Sequence, residues 1–408
     1  MDICNYINLE ADRRQMRILQ VGTGFASIPP TGAYATERTI HFLSSALVAL
    51  GHQVTVLDIE NENRPPVPYQ TEEVRLRWHR DSNSLTHILR GFAFRQASIG
   101  KVRELIKSGN FDIVNFHNQF SAWHIPWVRK CDIPTAYTLH NSLWYDSSAC
   151  RSAWQRLKFF QDIRAMRRSN VIICENRTTS LNLIHQFGIA DCKITVIPPG
   201  ISGEWLNKVN IPKNLRALYA PNGGQVILNV ARIAPYKNQL TLARAIPLVV
   251  EEVPDARFIF VGPITDKDYY RQICHFLVRA ELMPHVSFTG EIPYLDLPKF
   301  YSLSDVTVFP SSSEAFGVVI MEAMAQGKAI VASNIETFQE LLREARGITI
   351  PVFDHKALAN AIVTLLKNKS LREEMGQKAK EHVMVNYTWE NMAKKTIEIY
   401  KIITKVNL

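Results

Sequence analysis

Short apolar runs alternate with amphipathic stretches along most of the chain. Residues 17–21, 53–58, 111–117, 134–141, 171–174 and 193–197 are brief, apolar and rich in β-branched side chains, and read as buried strands. Between the first two, residues 33–50 place Ile40, Leu43, Leu47 and Leu50 at helical spacing, and Gly51-His52 closes that helix. A strand–helix–strand unit of this length predicts a right-handed parallel crossover. The alternation stops over residues 203–224, which end in Pro221-Asn-Gly-Gly224 and read as an interdomain linker. It then resumes, with strands expected over 225–231, 257–261, 286–292, 306–309, 329–332 and 345–351. Helices are expected over 297–304, 318–326, 357–367, 371–385 and 390–406. Residues 61–74 read as loop. The pattern predicts an α/β protein with two doubly wound parallel sheets.

Candidate chemistry sits just past the predicted strands, where open parallel sheets bind ligands. After residues 306–309 come Pro310 and three serines, then Glu314-Ala-Phe316-Gly317-Val318, then a helix carrying Glu322. Free N–H groups at that helix start favour an anion, and Gly317 lets a ligand approach the backbone. Two acids beside a phosphate must serve other groups, and hydroxyls fit. An anion with many hydroxyls describes a nucleotide sugar. The plainer reading is an ordinary strand–helix unit whose leading Glu stabilises the helix dipole. Past residues 225–231 stands Arg232-Ile-Ala-Pro-Tyr-Lys237-Asn238, with two cations placed to neutralise a diphosphate; the alternative is a surface loop with ordinary charges. In the first half, two predicted strands end in histidine, His117 and His140, and His140 followed by Asn141 is the stronger candidate.

Composition narrows the field. The chain has 408 residues, enough for two domains, with 46% hydrophobic and 21% charged residues, as in soluble globular proteins. A net charge of +9 points to an anionic partner, yet no Lys/Arg block resembles a nucleic-acid arm. Residues 75–107 and 151–168 interleave basic and aromatic side chains. The first reads as a solvated helix pair with one buried face and the second as a helix covering the sheet, or both as a surface for anionic lipid. The start of the chain lacks the apolar core of a signal peptide, and no apolar run is long enough to span a membrane. Six scattered cysteines without a C-x2-C pair read as reduced thiols, so a metal site is not expected. A cytoplasmic protein is expected, with peripheral attachment to the inner membrane face as the companion expectation.

Taken together, the early Pro29-Pro-Thr-Gly32 loop, the strand-end His140, Arg232-x4-Lys237 and Glu314-x7-Glu322 resemble the retaining GT-B glycosyltransferases of family 4, over roughly residues 17–405. The resemblance implies two Rossmann-like domains facing a cleft: residues 1–205 on the acceptor side, 206–388 binding the nucleotide sugar, and 389–408 returning to the first domain. It implies a hexosyltransferase that moves sugar from a nucleotide-diphosphate donor to a glycan, lipid-linked or small-molecule acceptor, with no cofactor and no metal. It assigns the diphosphate to Arg232 and Lys237, backbone contacts to Phe316, Gly317 and Val318, the ribose to Glu322, the donor sugar to Glu314 and His140, and a phosphate-approaching loop to Gly32. Residues near Glu291 and Ile292 would line the base pocket. The chain departs from the family pattern at Ala33, Asn238, Asn141, residues 199–202 and residues 334–340, which leaves two other readings open: a catalytically silent GT-B partner subunit and a nucleotide-sugar epimerase.

Overall fold

The structure is a computed structural model that describes residues 14–30, 34–76, 84–140, 153–207 and 209–406. The chain forms two units. One comprises Met1–Gly200 with Trp389–Leu408, and the other Ile201–Thr388. The first break falls at Gly200 rather than at 205, because Trp205 is buried against Tyr301 and Tyr294 of unit 2. The stretch read as a linker is therefore partly structured, with a 3-10 turn over Gly203–Leu206 and a helix over Lys213–Tyr219.

Unit 1 holds strands β1 (Arg17–Val21), β2 (Gln53–Ile59), β3 (Gln70–Val74), β4 (Ile113–Phe116), β5 (Thr135–Leu139), β6 (Val171–Cys174) and β7 (Ile194–Val196). Its helices are α1 (Ala35–Ala49), α2 (Ser84–Gly109), α3 (Ile125–Arg129), α4 (Ala153–Arg168) and α5 (Arg177–Phe187). The strands lie in the order β3-β2-β1-β4-β5-β6-β7, every pair parallel. Successive residues of β1 feed opposite faces: Ile18 joins the cluster with Ile40 and Leu43, Leu19 the cluster with Phe94 and Phe116. Burial on both faces is why these strands read as continuous apolar runs. β3 is the exception. It falls inside the stretch expected to be loop, because Gln-Thr-Glu-Glu-Val has one apolar residue and pairs only with β2 at the sheet edge.

Unit 2 holds α6 (Lys213–Tyr219), β8 (Val226–Val230), α7 (Gln239–Glu252), β9 (Arg257–Val261), α8 (Lys267–Arg279), β10 (Val286–Gly290), α9 (Leu297–Leu303), β11 (Val306–Phe309) and α10 (Val318–Ala325). There follow β12 (Ala329–Ser333), α11 (Glu336–Leu342), β13 (Ile348–Ile350), α12 (His355–Lys367) and α13 (Lys369–Asn386). This sheet is also parallel, in the order β10-β9-β8-β11-β12-β13. The final helix, α14 (Trp389–Val406), belongs to unit 1. Its Met392, Ile397, Tyr400 and Ile403 share a core with Ile40, Leu43 and Leu47 of α1, and Trp389 stacks on Phe42 at 5.3 Å.

In each sheet the order reverses once, between β1 and β4 and between β8 and β11. Such a switch point opens a crevice at the carboxyl ends of the strands. Among the described residues, no helix is long and apolar enough to cross a membrane, and Cys131, Cys174, Cys192 and Cys274 are free thiols.

Candidate functional site

The loops after β8 and β11 leave the sheet as neighbours at the unit 2 switch point, and they are laced together. Ser312 donates its backbone N–H to the Tyr236 carbonyl at 2.8 Å, and Asn238 Nδ2 donates to the Pro310 carbonyl at 3.0 Å. The Lys237 ammonium pairs with the Glu314 carboxylate, and both side chains are shielded, at 12% and 11% exposure. Ser311 Oγ donates to the same Glu314 oxygen at 2.9 Å. Asn238 sits at φ +55°, a left-handed conformation that Asn tolerates better than most residues, so it fills a position where the family uses glycine and adds a loop-to-loop bond. Arg232, by contrast, is exposed. Its carbonyl is held by Gln239 Nε2 at 2.9 Å. Gly262, after β9, lies against this loop, where a Cβ would come within 2.3 Å of the Ala231 carbonyl oxygen.

Gly317 caps α10 at φ +91° and supplies no side chain to the first turn. The leading N–H groups of a helix have no intrahelical acceptor, so this end is open to an anion. Phe316 is buried beside it, and a Cβ on Gly317 would meet Phe338 at 2.8 Å. Glu322 follows on the same helix but is turned inward, only 3% exposed, and accepts from the Tyr301 hydroxyl at 3.0 Å. Burial and the Glu322 carboxylate push the Tyr301 phenol well up, which keeps it a donor. Val318 opens the helix half-buried, and Glu291 and Ile292 follow β10 at the far edge of the sheet.

In unit 1, His117 and His140 are the first residues past β4 and β5, and their rings stack at 5.1 Å. His117 Nδ1 lies 2.8 Å from His140 Nε2, and His117 Nε2 lies 2.7 Å from Gln20 Oε1. Glu175, first past β6, places Oε1 3.4 Å from His140 Nδ1. Burial, then the neighbouring His140, hold His117 well below the usual imidazole range. Glu37 of α1 is buried and bonded to the Thr23 hydroxyl. Burial pushes its carboxyl up, while Thr23 and nearby His140 hold it down. Gly32 and Asn141 lie outside the described residues.

Two family models divide the chain at the same point as the linker. One, described as glycosyltransferase family 4, matches residues 36–205, and the other, glycosyl transferases group 1, matches residues 210–382. The chain belongs to the GT-B glycosyltransferases. An uncharacterized glycosyltransferase of Methanocaldococcus jannaschii is 26% identical over 388 residues, covering 88% of this chain and 92% of its own. The fold matches that of a sucrose-phosphate synthase from Thermosynechococcus elongatus with a TM-score of 0.77 at 21% identity, over 96% of this chain and 100% of the other. It also matches Anabaena HepE, solved with UDP and glucose, with a TM-score of 0.73 at 20% identity, over 95% and 100%. In this glycosyltransferase, Lys237, Glu314, Phe316, Gly317 and Val318 gather at one switch point and Glu322 is buried beneath them, while in unit 1 His117 follows β4 at the other, with His140 stacked beside it past β5. Tyr301, Asn238 and Glu175 are each tied to their site by a partner distant in sequence, Glu322, Pro310 and His140, whereas Ser311 lies three residues from its partner Glu314.

Proposed function

We propose that the chain transfers a hexose from a nucleoside-diphosphate sugar to a hydroxyl acceptor, with retention at the anomeric carbon and without a resident metal. The bond between the anomeric carbon and phosphate oxygen breaks, and the acceptor oxygen bonds to the same face. The acceptor proton passes to the departing phosphate, and the nucleoside diphosphate leaves. Negative charge grows on the diphosphate, and Arg232, Lys237 and the α10 N–H groups are the means to stabilise it, as preorganised donors. Glu314, held by Ser311 and Lys237, is the group we assign to the sugar hydroxyls, Glu322 the ribose, and His140 the unit 1 contribution to the sugar. The observation that carries this reading is the lacing of a cationic loop to an acidic one at the β8/β11 switch point, against a helix start with no side-chain cap. That HepE was solved with UDP and glucose supports a nucleotide-sugar donor.

A panel of UDP-, GDP- and ADP-sugars, followed by thermal shift, slow hydrolysis and transfer, tests it. One donor is expected to stabilise the protein and turn over, unchanged by chelator. Lys237→Ala and Glu314→Ala are each expected to lower turnover about a hundredfold or more with unfolding curves intact. A silent partner subunit would neither bind nor hydrolyse any donor, and an epimerase would release free sugar without an acceptor.

The acceptor we infer is lipid-linked or a glycan precursor, met at an anionic membrane face. On α4, Phe160 is 62% exposed and aligned at helical spacing with exposed Arg164 and Arg167. Other aromatics of this region are already engaged inside unit 1, with Arg95 over Trp123 at 3.8 Å and Phe92 against Phe120. Flotation should therefore favour vesicles containing anionic lipid and weaken in an Arg164→Ala, Arg167→Ala variant. Equal flotation with neutral vesicles would count against attachment.

A further inference from the structure

Among the described residues of unit 1, the buried polar atoms without a hydrogen-bond partner as drawn include His140 Nδ1, Gln20 Nε2 and the Tyr400 hydroxyl. Orphans of this kind are costly, and each calls for an account. The named atoms lie along one line. The Gln20 amide of β1 is within side-chain reach of Tyr400 on α14 and touches His117; His117 touches His140; His140 faces Glu175. As drawn, Gln20 Oε1 accepts from His117 Nε2, so His117 Nδ1 must accept from His140 Nε2. A neutral His140 then turns a lone pair toward the Glu175 carboxylate.

Amide orientation and imidazole tautomer are assigned from hydrogen-bond networks, and this network has a second polarity. Turn the Gln20 amide over, and the Tyr400 hydroxyl donates to Gln20 Oε1. Gln20 Nε2 donates to His117 Nε2, His117 Nδ1–H donates to His140 Nε2, and His140 Nδ1–H points at Glu175. Asn115, now 3.0 Å from Gln20 Oε1 and bonded to Thr138 Oγ1, turns over with it, its Oδ1 accepting from Gln20 and its Nδ2 donating to Thr138. Turning over both amides directs the line of donors toward Glu175, and it replaces a lone pair facing a carboxylate by a charge-assisted contact. Among the described residues the other ionisable groups facing His140 are Glu37 of α1, which it influences electrostatically, and His117, which meets Nε2 rather than Nδ1.

We propose that Glu175 is a positioning residue that fixes His140 as its Nδ1–H tautomer, through a directed line from Tyr400 of the last helix to the tip of β6. The proposal rests on the reading of His140 as a sugar-side group. A ring set in this way offers neither nitrogen freely; it acts by orientation and is held at both ends.

Nitrogen-15 imidazole spectra of the full-length free chain, at a pH where the rings are neutral, test it without donor. Both His117 and His140 are expected as Nδ1–H tautomers. Glu175→Ala should lower the Nδ1–H to Nε2–H ratio of His140 about tenfold, the share that a hydrogen bond to a charged group commands. Glu175→Asp should restore most of it, and thermal unfolding guards against a misfolded variant. In transfer assays Glu175→Ala should lower kcat with KM little changed. Finding His117 as Nε2–H in the unaltered chain, or an unchanged ratio in Glu175→Ala, would overturn the proposal. A chain that never transfers sugar would still show the tautomers, so the two readings fail separately.

Discussion

Gly317 shows how much one residue can decide here. Its φ of +91° starts α10, and the space a Cβ would need is taken by Phe338 at 2.8 Å. Gly317→Ala should cost about 1–2 kcal/mol for the backbone conformation alone, more if Phe338 cannot yield. The expected outcome is a lower unfolding temperature together with a larger loss of donor-induced stabilisation, since the shifted helix end is the one assigned to phosphate. A variant that unfolds earlier but gains as much from donor as the parent would remove the helix start from the site. At this scale the sequence singled out Lys237, Glu314 and His140 from their places after predicted strands, and the structure sets Lys237 against Glu314. The sequence was silent for Glu175, Gln20 and Tyr400, whose meaning comes from partners up to a whole domain away along the chain. Asn238 was visible as a departure from glycine, but the hydrogen bond its side chain donates to the Pro310 carbonyl was not.

Among elements, the central strands were legible because each is buried on both faces, so that five or so apolar residues in a row carry the signal. The edge strand β3 was not, since a strand with one neighbour and solvent beside it needs no apolar run. The short α3 escaped for a related reason: five residues are too few to show a helical period. α2 appears as a single helix of 26 residues where two were one reading of the basic stretch. Its Phe92 faces Phe120 and its Phe94 is fully buried, which explains why interleaved Phe and Arg do not by themselves announce a membrane surface. The two strand-order reversals could be expected from alternating strands and helices, but which strands flank them is settled only by pairing. That pairing is what sets the Arg232–Asn238 loop beside the Pro310–Gly317 loop.

For the whole molecule, connectivity is the property that matters. The chain leaves unit 1 at Gly200 and re-enters it at Trp389, and the two passages run side by side in unit 2, where Ile201 N donates to the Tyr387 carbonyl at 2.7 Å. Unit 1 is thus built from both ends of the polypeptide, with α14 covering Ile40, Leu43 and Leu47. During synthesis this inverts the usual order in which an amino-terminal domain finishes first. Unit 2 has every residue it needs once Thr388 emerges, whereas unit 1 keeps an uncovered apolar face until α14 has emerged as well. Nascent chains stalled at successive lengths and pulsed with protease should show residues 201–388 protected before residues 14–200, and a stop placed after Thr388 should yield a protein that aggregates through α1.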